Sequence, residues 1–140
     1  MNFLVLDTET TTSNYGNAYD VNNKLVCISY WYNGIANTVP NSPESLSLIQ
    51  EFVDSCDIIV GFHFKFDLHW LKKEGIVFND KQIWDIQSAE FVKSHQTLKL
   101  SQNSLDQACE RYEVTGKLKV VEEEYWSKGI NTDEIPWAIS

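Results

Sequence analysis

Phe3-Leu4-Val5-Leu6-Asp7-Thr8-Glu9-Thr10 opens the chain and decides how the rest is read. Phe3 to Leu6 is a short apolar run, the pattern of a strand buried on both faces, and Asp7 and Glu9 follow at its end. Side chains two apart on a strand project from one face, so the two carboxylates stand side by side. Neighbouring carboxylates repel, and burying them costs several kcal/mol unless a cation or hydrogen-bond donors offset it. Hard, oxygen-seeking Mg²⁺ or Mn²⁺ does so, held by one or two carboxylates together with substrate phosphates. The alternative is a solvated acidic strand end that starts a turn, and a D-x-E taken alone favours that reading.

Working outward, Thr11 to Lys24 is polar and rich in Asn, Thr and Tyr, a loop by composition. Leu25 to Tyr32 has the β-branched and aromatic content of a strand. Asn33-Gly34 is a hairpin signal, so Ile35 to Val39 returns antiparallel. Ser42, Pro43 and Glu44 read as N-cap, first helical residue and first-turn acid, with Leu46, Ile49, Phe52, Val53 and Cys56 following at helical spacing. Asp57 to Phe62 is a second apolar strand, and Phe64 to Glu74 a helix closed by Gly75. Gln82 to Ile86 then reads as a strand, Ile86 to Ser94 as a helix, and Leu105 to Tyr112 as a helix capped by Ser104. Lys119 to Lys128 is a further helix closed by Gly129, and Thr132 to Pro136 the start of another. That order means α/β, with an antiparallel hairpin beside parallel strands.

A length of 140 residues suits one domain with a hydrophobic core, and 43% hydrophobic residues exclude a disordered tail. No apolar run approaches the ~20 residues of a membrane span. No basic segment precedes the first strand, so a cytoplasmic protein without membrane partners is expected. Cys27, Cys56 and Cys109 are widely spaced and without a CxxC, which fits reduced thiols better than disulfides or zinc. A net charge of −9 argues against gripping duplex DNA through a broad basic surface, but not against holding a few nucleotides through metal ions. The six glycines form neither GxGxxG nor GxxxxGK[ST], so no phosphate-cradling nucleotide loop is present.

The second half of the acidic pattern is Gly61-Phe62-His63-Phe64-Lys65-Phe66-Asp67, where the second apolar strand passes into a helix. Sites in α/β sheets form beyond the carboxyl ends of adjacent strands, so Asp67 converges on Asp7 and Glu9 if those strands are neighbours. His63 and Asp67, four apart, share a helix face. With these residues the chain resembles the DnaQ-like, or DEDD, family of 3′–5′ exonucleases, and above all the proofreading domains of family A DNA polymerases, phage versions included. Asp7-Thr8-Glu9-Thr10 resembles the family's first motif and Gly61 to Asp67 its second. Trp84-Asp85-Ile86 with Ala89 resembles the next strand and helix, and Tyr125-Trp126, Gly129 and Ile135-Pro136 the lead-in to the third motif.

The sequence departs from the family twice. His63 stands where the second motif usually has Asn, and the third motif, Y-x-x-x-D or H-x-x-x-D, is missing. In the family that motif follows the Ile-Pro lead-in, so residues 1–140 are expected to be an exonuclease domain cut short at its C-terminus. The resemblance implies an RNase H-like mixed five-stranded sheet with helices on both faces. It also implies hydrolysis of the single-stranded 3′ end of DNA with two Mg²⁺ or Mn²⁺ ions about 4 Å apart. By the same match Asp7 bridges both ions, Glu9 holds the ion that activates water, and Asp67 serves the second. Thr8, Thr10, His63 and Phe66 are the candidates for contacting the terminal nucleotide, and Asp85 is a spare carboxylate that also suits a helix cap. A polymerase domain, in the same or a second chain, is the implied partner. A ribonuclease of the superfamily and an inactive interaction module are the alternatives.

Overall fold

The computed structural model describes residues 1–99, 102–115 and 123–135. Strands β1 (Phe3–Thr10), β2 (Leu25–Tyr32), β3 (Ile35–Pro40), β4 (Ile58–Gly61) and β5 (Gln82–Asp85) form one sheet in the order β3-β2-β1-β4-β5. β1 runs antiparallel to β2 and parallel to β4, which is parallel to β5. Helices α1 (Pro43–Ser55), α2 (Phe64–Lys73), α3 (Ile86–Lys93) and α4 (Leu105–Arg111) complete an α/β fold of the RNase H-like class. Among the described residues no helix is long and apolar enough to cross a membrane.

Local chemistry explains most boundaries. Asn33 and Gly34, both at positive φ (50° and 82°), turn β2 into β3 as the twist of a two-residue hairpin requires. The Ser42 side chain accepts from the Ser45 amide at 3.2 Å to cap α1, and Ser104 with Gln107 forms a capping box on α4. α1 and α2 lay Ile49, Val53, Trp70 and Leu71 on Leu4, Leu6, Ile28 and Ile59 to build the core.

Several expectations change. β1 is longer than its apolar run, because β2 offers a ladder partner as far as Thr10, so Asp7 and Glu9 lie within the strand rather than past its end. β1 is also not buried evenly: Leu4 and Leu6 face the helices, whereas Phe3 is exposed and Val5 half-buried on the other side. The loop after β1 contains a 3₁₀ turn, Ser13–Gly16, and is closed internally by the buried Asn23. The helix expected over 119–128 lies partly outside the described residues; its described end is a 3₁₀ turn, Trp126–Lys128, closed by Gly129 at φ 77°. Thr132–Glu134 is a single 3₁₀ turn and Ile135 is extended, as befits a residue before proline. Pro136 lies outside the described residues.

Candidate active site

β1 pairs with β4 only from Phe3 to Val5, so its second half runs on past the carboxyl end of β4. A cavity of about 400 Å³ lies along that overhang, lined by Asp7, Thr8 and Glu9 of β1 and by Phe62, His63, Phe66 and Asp67 from the start of α2. The two strands are neighbours, and the acidic residues of the two motifs line one cavity.

Burial is distributed differently from the expectation. Asp7 is exposed and Glu9 half-buried, whereas Asp67 is only 4% exposed. Its Oδ1 accepts from the Thr8 amide at 3.0 Å and from the Thr8 hydroxyl. Burial pushes the Asp67 carboxyl up to about 7; the Thr8 hydrogen bonds and the charge of His63 pull it down, and the charge of Asp7 adds to the rise. Cys27, paired with Glu9 across the sheet, senses the same field: burial first, then the charges of Glu9 and Asp7, push its thiol up to about 11. Cys27, Cys56 and Cys109 are free thiols, the first two buried.

The remaining candidates separate. Thr8 lines the cavity, but its hydroxyl is committed to Asp67. Thr10 is 7% exposed, lies on the opposite strand face from Asp7 and Glu9, and is not part of the lining; it packs against Gly16. His63 and Phe66 do face the cavity, His63 exposed and Phe66 half-buried. His63 is left-handed (φ 49°) and has no side-chain cap of its own. Asp85 supplies that cap from β5, accepting from the amides of His63 and Phe64 at 3.0 Å each, while also capping α3 through Gln87 N at 2.9 Å. The His63 ring meets Gln87 Oε1 through Nδ1 at 2.9 Å. Sequence reasoning missed Gln87, Ser104, Asp106 and Trp126, which close the far side of the cavity. Asp106 sits in the first turn of a capped helix, where an acid is expected anyway, so nothing in its local sequence marks it.

The donor set is hard oxygen, and the mutual repulsion of Asp7 and Asp67 is what a divalent cation would relieve. Among the described residues no three His, Cys, Asp or Glu side chains gather closely enough to hold an ion by themselves.

No protein-family model matches the chain, and no curated protein matches it. Among solved structures it is similar to the family B DNA polymerase from the hyperthermophilic archaeon Pyrobaculum calidifontis, with a TM-score of 0.59 and 14% identity over 83% of this chain. The match spans 19% of that polymerase's length. At this identity the likeness is one of fold alone: the matching structure is a family B DNA polymerase, not one of the family A polymerases expected from the motifs.

Proposed function

We propose that the chain is a 3′–5′ exonuclease domain of the proofreading type, working beside a polymerase domain on the single-stranded 3′ end of DNA. The observation that carries this reading is the meeting of Asp7, Glu9 and Asp67 in one cavity at the carboxyl ends of β1 and β4. Mg²⁺ or Mn²⁺ would be held by one or two of these carboxylates together with a substrate phosphate, and when bound would supply charge stabilisation to the attacking and leaving oxygens of the phosphodiester. The chain's own residues do the positioning. Thr8 fixes the Asp67 carboxylate through two hydrogen bonds to one of its oxygens. Asp85 and Gln87 hold His63 at the rim, where its ring can hydrogen-bond a terminal nucleotide. Phe66 offers an apolar surface to the last base. With Asp106 also lining the cavity, the site repels bare phosphate, so binding of the strand end depends on the cation.

The test is shortening of a 5′-labelled single-stranded oligodeoxynucleotide by the full-length protein that carries these residues, with Mn²⁺ and with chelator. A metal-dependent ladder receding from the 3′ end is expected, and Asp7→Ala should lower the rate by at least a hundredfold, as loss of an electrostatic group in such a site does. Equal rates for parent and Asp7→Ala would overturn the assignment, and preferential shortening of RNA would move the substrate class.

A further inference from the structure

Resting on that reading of the carboxylate cavity, we propose that Tyr19 and His69 form a second, base-stacking seat next to it, which takes the penultimate base of the single strand. Tyr19 is 80% exposed, on a segment whose backbone is held in place by hydrogen bonds. Trp70 Nε1 donates to the Gly16 carbonyl at 2.9 Å, Lys73 Nζ to the Ala18 carbonyl at 2.7 Å, and the Tyr19 amide to Asn17 Oδ1 at 2.9 Å. The ring is therefore displayed by an anchored loop. It meets His69 edge to face, with centroids 5.9 Å apart and planes at 63°, and its hydroxyl lies 3.4 Å from His69 Nδ1.

A recess of about 110 Å³ lies beside them, lined by Asn17, Ala18, Tyr19, Phe66, His69 and Trp70. Phe66 also lines the carboxylate cavity, so one phenylalanine is the wall between the two. His69 follows Phe66 by three residues, about 4.5 Å of helix rise. That is the scale of one nucleotide step, about 3.4 Å between stacked bases. A base lodged against Phe66 in the carboxylate cavity leaves its neighbour at Tyr19 and His69.

The chemistry of the recess selects a base over a phosphate. Its walls are aromatic and neutral amide, the chain as a whole is acidic, and Lys73 is already engaged with the Ala18 carbonyl and the Trp70 ring. Stacking on aromatic side chains needs no positive surface and tolerates any base.

The experiment compares parent, Tyr19→Phe and Tyr19→Ala full-length protein on oligothymidylate and on the same strand with an abasic penultimate position. Tyr19→Ala should raise KM for the intact strand about tenfold or more, leave kcat unchanged, and have no further effect on the abasic strand. Tyr19→Phe should behave as the parent. An unchanged KM, or an equal rise on both strands, overturns the seat while leaving the nuclease reading intact. If no strand is shortened at all, fluorescence anisotropy of labelled oligothymidylate decides: weaker binding by Tyr19→Ala sustains the seat without the nuclease, and equal binding overturns it.

Discussion

Gly61 and His63 show how tightly the second motif is built. A Cβ at Gly61 would lie 2.1 Å from Phe64 Cδ2, and Phe64 is fully buried, so neither side can yield. Gly61→Ala should cost about 1–3 kcal/mol by overpacking, read as a lower urea midpoint. A Gly61→Ala/Phe64→Leu double variant should recover part of it, and no change in midpoint would show that the ring has room. At His63 the constraint is backbone conformation. Its left-handed φ is one that Asn adopts at lower cost than most residues, which gives the Asn common in the resembled motif a physical reason. His63→Asn should leave thermal stability equal or slightly higher and preserve any nuclease rate. A large loss of rate with intact stability would assign a role of its own to the imidazole held by Gln87.

At the scale of elements, α2 organises the site: it delivers Asp67 and Phe66 to the cavity, and its Trp70 and Lys73 anchor the loop after β1. Trp70 is fully buried and its indole N–H is the donor shown for the Gly16 carbonyl. Trp70→Phe keeps most of the apolar volume but removes that donor, so it should cost about 1–3 kcal/mol in urea unfolding. Amide exchange should accelerate over residues 13–19 if the anchor is lost, and unaltered protection there would mean that the loop holds itself. α3 and α4 are tied by a different device. The buried Glu90 carboxylate accepts from Tyr112 Oη at 2.6 Å and Arg111 Nη2 at 3.1 Å, contacts that hold it below the usual carboxylate range. The Lys24–Asp133 ion pair at 2.8 Å is far more exposed and contributes little by comparison.

For the whole molecule, the acidic cavity links stability to pH and, on the proposed reading, to metal. With its pKa raised from 3.8 to about 7, Asp67 keeps a proton in the folded chain that the unfolded chain releases between those values. Stability in chelator therefore falls, by a few kcal/mol, as pH rises from about 4 to 7, and levels off above. Asp67→Asn keeps a carbonyl for the Thr8 amide but has no charge to bury. Its contribution to the slope should vanish, and at pH 8 in EDTA it should be more stable than the parent. Adding Mg²⁺ should raise the midpoint of the parent and do so much less for Asp67→Asn. Parallel pH profiles for the two proteins would refute the link.

Much of this was determined by the sequence alone, because the signals are local. Asn33-Gly34 specifies its hairpin, and Ser42-Pro43 and Ser104 their helix starts, since each depends on residues within one turn. The period of two along Asp7, Thr8 and Glu9 likewise predicts which side chains share a face. Only the tertiary structure decided which carboxylate is buried and what holds it. Asp67 is sequestered and clamped by Thr8, 59 residues away, because β4 stops short beside β1 and leaves the Thr8 amide facing α2. Nonlocal packing also sets Thr10 against Gly16, away from the cavity, and brings Asp106 of α4 into its lining. Burial and convergence belong to the order of strands in the sheet, which no short window of sequence contains.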